Sequence, residues 1–62
     1  MKRLELVKHI LANGCIVLRE GGNHTALFNP TNQKQTILAR HREIDNNMAR
    51  IICKQLGIPA MR

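Results

Sequence analysis

A chain of 62 residues with 44% hydrophobic residues has material for one compact core, so residues 1–62 are expected to form a single domain. Ten Lys and Arg against four Asp and Glu give a net charge of +6, a balance that points to nucleic acid or to an acidic protein as partner. The longest aliphatic run, Cys15 to Leu18, is too short for a membrane span, and the single aromatic, Phe28, argues against RNA readers that stack bases on a sheet.

Residues 3 to 13 read as a helix, with Leu4, Val7, Ile10 and Leu11 as its apolar stripe. Charged residues and His9 take much of the remaining surface and interrupt any secretory leader. Asn13-Gly14 ends the helix, Gly14 serving as a left-handed cap. Cys15 to Arg19 has β character and is expected to open a core strand. Gly21-Gly22-Asn23 then turns the chain, in a place where glycine offers positive φ and lets a phosphate come close. A second strand runs from His24 to Phe28. Its period of two puts His24, Ala26 and Phe28 on one face and Thr25 and Leu27 on the other. Asn29-Pro30-Thr31-Asn32 is a second turn, and Gln35 to Ala39 a third strand. The connector Arg40 to Glu43 leads to a second helix. Asp45 is its expected side-chain cap, and Ile44, Met48, Ile51, Ile52 and Leu56 are its stripe. Gly57 and Pro59 stop it.

The expected fold is α+β, in the order α-β-β-β-α. Short connections make the three strands an antiparallel meander, and both helices bury their stripes on one face of it. Double-stranded-RNA-binding domains share this layout, which does not by itself assign a function.

His24 is the leading candidate for chemistry. A neutral imidazole takes a proton from a ribose 2′-OH, and an imidazolium returns one to a leaving 5′-oxygen or steadies the charged phosphorane. A turn histidine bonded to a backbone carbonyl is the plainer alternative. His41, in Arg40-His41-Arg42, is open to three roles: phosphate ligand, partner contact or solvated connector. His9 reads as surface. Cys15 and Cys53 sit in apolar runs and read as buried free thiols. With His24 and His41 they show none of the paired spacings of a zinc site. The carboxylates are too scattered for a glycosidase-like pair, and Gly21-Gly22 lacks the rest of a P-loop.

Taken in order, four segments resemble the HicA-type toxins of bacterial toxin–antitoxin systems. They are the first helix ending at Asn13-Gly14-Cys15, Arg19-Glu20-Gly21-Gly22-Asn23-His24, Arg40-His41-Arg42-Glu43-Ile44, and Ile52-Cys53-Lys54-Gln55-Leu56-Gly57-Ile58-Pro59. The resemblance covers nearly the whole chain. It implies a double-stranded-RNA-binding-domain-like fold and a cytoplasmic, ribosome-independent mRNA interferase that needs no metal or cofactor. It makes His24 the catalytic residue and implies a cognate HicB-type antitoxin that covers it. Single-stranded mRNA would be the substrate. Lys8, Arg19, Lys34, Arg40 and Arg42 would hold the RNA backbone, with Gly22, Asn23 and His41 beside them. The chain departs from the family pattern at Asn23, where many members have serine, and at Ala39, where many have proline. A non-catalytic RNA-binding module and a basic protein–protein adaptor are the competing readings of the same residues.

Overall fold

The computed structural model describes residues 1–61. Its elements are α1 (Arg3–Ala12), β1 (Ile16–Glu20), β2 (His24–Asn29), β3 (Lys34–Ala39) and α2 (Asn46–Leu56). The strands form one antiparallel sheet in the order β1-β2-β3. The molecule measures 16 Å along its thin axis, which leaves room for one sheet and one helical layer. The expected α-β-β-β-α architecture is the observed one.

Alternation along β2 decides which face is covered. Thr25, Leu27 and Asn29 are buried toward the helices, while His24, Ala26 and Phe28 point to the other side. Leu27 and Leu38 from the sheet meet Leu6 and Ile10 of α1 and Ala49, Ile52, Cys53 and Leu56 of α2 in one aliphatic core. The helix stripes are set one step away from the sequence expectation. Leu4 is 70% exposed and Leu11 is exposed too, while Leu6, absent from the expected stripe, is fully buried. On α2, Met48 and Ile51 are half exposed, and the smaller Ala49 and Cys53 take the inward positions. Small inward side chains let the helix approach the sheet closely.

The ends of the helices also differ from expectation. Asp45 precedes α2, yet its side chain makes no capping bond. α1 likewise begins without a side-chain cap; the Arg3 N–H donates instead to the Arg42 carbonyl at 3.0 Å. That bond, with Ile44 N–H to Met1 O at 2.7 Å, pins the charged connector beside the start of α1. Both C-termini close alike, with Cys15 N–H reaching Ile10 O and Ile58 N–H reaching Cys53 O around Gly14 and Gly57 at φ 88° and 72°.

β1 is an outer strand with every residue exposed, not a core strand, and Cys15 lies just before it. Its pairing with β2 contains a bulge. Val17 faces Leu27 and Arg19 faces Ala26, so Leu18 is the extra residue. The bulge reverses the facing of the last two residues of β1. In regular pairing Leu18 would lie opposite Ala26, and Arg19 would turn toward the helices. With the bulge, Arg19 lies on the open face with His24, and Glu20 lies opposite the inward-facing Thr25.

Candidate active site

The site is built at one corner of the sheet, where β1 turns into β2. The turn is held by backbone bonds. Gly21 N–H donates to His24 O at 2.7 Å, and Arg40 N–H donates to Asn23 O at 3.1 Å. Neither Gly21 nor Gly22 adopts positive φ, contrary to expectation. At Gly21 the constraint is one of space, since a Cβ there would lie 3.2 Å from His24 O, a tight contact that the turn would have to relax. A Cβ on Gly22 would meet nothing within 4 Å. The fold leaves that backbone bare toward solvent.

His24 is exposed, and among the described residues its imidazole makes no hydrogen bond. The contrast with His9 is direct. His9 is half-buried rather than purely a surface residue, and its Nε2 donates to Pro59 O at 2.6 Å. Of the two rings, one is committed to the structure and the other is free to meet a ligand.

Two hollows flank His24, and Ile37 lines both with it. The smaller, about 290 Å³, is bordered by Arg19, Gly21, Gly22 and Asn23. The larger, about 510 Å³, lies between β3 and the start of α2, with His41, Ile44, Asp45 and Met48 around it.

Behind the turn stands a chain of charged and polar groups. Arg40 Nη1 donates to Glu20 Oε2 at 2.7 Å and to Gly21 O at 3.3 Å. Glu20 Oε1 accepts from Thr25 Oγ1 at 3.0 Å, and Thr25 in turn accepts from the Arg3 guanidinium. Glu20 therefore compensates part of the positive charge of Arg40 and Arg3. It also ties the end of β1 to the connector, which steadies the corner that carries His24.

The structure gathers some of the sequence candidates and scatters others. Arg19, Gly22 and Asn23 share the small hollow with His24, and His41 shares the large one. Arg40 is engaged with Glu20 but half exposed; with Arg42, Lys2 and Arg3 it lines a third, cationic hollow of about 460 Å³. Lys34 pairs with Asn29 at the opposite end of β2, about 17 Å away by strand rise. Lys8 stands exposed on α1, in the helical layer. Cys15 and Cys53 are buried free thiols in the core, apart from the exposed His24 and His41. Burial raises the pKa of both thiols, and the neighbouring Cys53 raises that of Cys15 further.

Sequence reasoning placed Glu20 in this corner without giving it a role, and missed Ile37 and Asp45 as parts of it. Ile37 had a usable signal. Once β3 is paired with β2, alternation puts it opposite Ala26 on the face of His24. The Glu20 to Arg40 bond spans 20 positions and left no local signal, and the sequence position of Asp45 pointed to helix capping instead.

The family model described as HicA toxin of bacterial toxin-antitoxin matches residues 4–58. The chain belongs to the HicA toxin family. A HicA-family toxin is one member of a pair, and its partner is a cognate antitoxin. No curated protein and no solved structure matched the chain. The matched stretch takes in both turns, the connector and all five elements apart from the first residue of α1. Among the described residues, no helix of this HicA-family chain is long and apolar enough to cross a membrane.

Proposed function

We propose that this HicA-family toxin is an endoribonuclease that cleaves single-stranded mRNA in the cytoplasm, with His24 as its acid/base residue. One observation supports this above the others. His24 is an exposed, unengaged imidazole beside a hollow bordered by a cation, Arg19, and by the bare backbone of Gly22. A phosphodiester seated there meets a positive charge and finds backbone room to approach.

RNA brings its own nucleophile. His24 takes the proton of a ribose 2′-OH, and the oxygen forms a bond to the adjacent phosphorus. The bond from phosphorus to the 5′-oxygen breaks, and the protonated ring returns its proton to that oxygen. The products are a 2′,3′-cyclic phosphate and a 5′-hydroxyl. Arg19 holds the phosphate and offsets charge as it builds on the phosphorane. Arg40 and Arg42 extend the cationic border on one side, with His41 between them in the chain. Lys34 and Lys8 lie farther off and act only on a longer strand. A HicB-type antitoxin that covers His24 would block the site.

The test is cleavage of unstructured RNA by the chain freed of any partner. His24→Ala should lower the rate by about 10²- to 10⁴-fold, the usual share of a general acid or base, while RNA binding persists. RNA methylated at the 2′-oxygens should stay intact. Binding without cleavage by the unaltered protein would leave an RNA-binding module. No RNA affinity at low salt would leave a basic adaptor.

A further inference from the structure

We infer that the larger hollow beside His24, between β3 and the start of α2, is a nucleobase pocket. It makes cleavage selective for a base that carries an exocyclic amino group. The inference rests on the nuclease reading above and extends it from phosphate to base.

The two hollows share the same imidazole but differ in chemistry. The one holding Arg19 is small and suits a phosphate. The other is larger, about 510 Å³, within the range of about 300–1,000 Å³ typical of small-molecule sites. Its floor is apolar, because Leu38, Ile44 and Ile52 are nearly fully buried. Its walls are half-exposed aliphatic and thioether groups, Ile37 at 58% and Met48 at 49%. Exposed groups of this kind favour a flat ring, since a thioether packs well against aromatic edges. His41 stands exposed at the rim, where its ring can stack on a base. A nucleotide whose phosphate lies against Arg19 has its base within reach of this second hollow, because His24 borders both.

Asp45 supplies the selectivity. It occupies the capping position of α2 but does not cap it. Among the described residues its carboxylate has no hydrogen bond or ion pair. An exposed carboxylate at the rim of an apolar hollow accepts hydrogen bonds and donates none. Adenine, cytosine and guanine each offer an amino group to such an acceptor. Uracil has no amino group, and its one donor on that edge, N3–H, is flanked by two carbonyl oxygens that a carboxylate repels. The pocket therefore discriminates against uracil at one side of the cut bond.

The experiment maps cut sites on a set of short unstructured RNAs containing all sixteen dinucleotide steps. Wild type is compared with Asp45→Ala and Met48→Ala, and the readout is the ratio of cutting at amino-bearing bases to cutting at uracil. A ratio does not depend on the fraction of protein folded. Wild type should prefer amino-bearing bases on one side of the cut by about tenfold, the order expected for one hydrogen bond to a charged acceptor. Asp45→Ala should reduce that preference toward unity. Met48→Ala, which widens the hollow, should blunt it by about threefold while leaving its direction unchanged. Even cutting at all four bases, or a preference for uracil, overturns the pocket and leaves the nuclease standing. An identical pattern in wild type and both variants shows that this hollow does not read the base and also overturns the proposal. Wild-type protein that cuts no RNA sinks the nuclease reading, and the base pocket with it.

Discussion

The two turns at the ends of β2 draw on similar residue types and use them in opposite ways. At the Asn29 end the polar side chains point inward. Asn29 and Asn32 both donate to the Leu56 carbonyl, at 2.8 and 3.1 Å, and so close the C-terminal end of α2. Their side-chain oxygens accept from Thr31 N–H and Lys34 N–H within the turn itself. At the His24 end the backbone holds itself, through Gly21 to His24 and Arg40 to Asn23. The side chains of Asn23 and His24 are left exposed. A turn whose polar groups are consumed by the fold is structural; a turn that folds without them has them available for a ligand. This distinction does not depend on residue type, and so sequence alone cannot make it.

Substitutions can break the contrast in either direction, and the largest effect is expected at the inward turn. Asn29→Ala strips a buried partner from the Leu56 carbonyl and from Thr31 N–H. It should cost about 2 kcal/mol in urea unfolding followed by circular dichroism, with RNA cleavage per folded molecule unchanged. Gly57→Ala should cost about 1–2 kcal/mol in the same assay. Its φ of 72° is left-handed, and a Cβ there would collide with Asn32 Nδ2. At the outward turn the order of effects reverses. Arg19→Ala should leave stability within about 0.5 kcal/mol. It should weaken RNA binding and lower the slope of log affinity against log salt by about 0.7, the value for one phosphate contact on a single strand. Gly22→Ala should have the smallest effect on unfolding, again within about 0.5 kcal/mol, because its Cβ has open space around it. Any loss of cleavage in that variant would then report steric exclusion of the RNA backbone.

Much of this contrast could be anticipated where local periodicity governs. The alternation of Thr25 and Leu27 against His24, Ala26 and Phe28 is visible in five consecutive residues, and the structure keeps it. The element order and both glycine-terminated helices were equally legible, since each depends on a few neighbouring residues. The inward faces of the helices were not. Leu4, Leu6, Val7, Ile10 and Leu11 cover a wide arc of α1, and the sheet beneath, not the helix, selects Leu6 and Ile10. On α2 the bulkier Met48 and Ile51 looked like the better core residues, yet close packing on β3 favours Ala49 and Cys53. For the candidate site, His24 and its glycines stood out because the turn is local. The bracing by Glu20, Thr25 and Arg3 joins residues up to 22 positions apart and leaves no local trace.

The irregularity at Leu18 bears on one more property, self-association. Ile16, Val17 and Leu18 form an exposed apolar stretch on an outer strand, the kind of edge along which another chain can add its own backbone. A looped-out residue in the middle of that stretch disrupts the even spacing of donors and acceptors that a docking strand must match. The same extra residue that turns Arg19 toward the face of His24 thus guards the margin of the sheet against polymerisation.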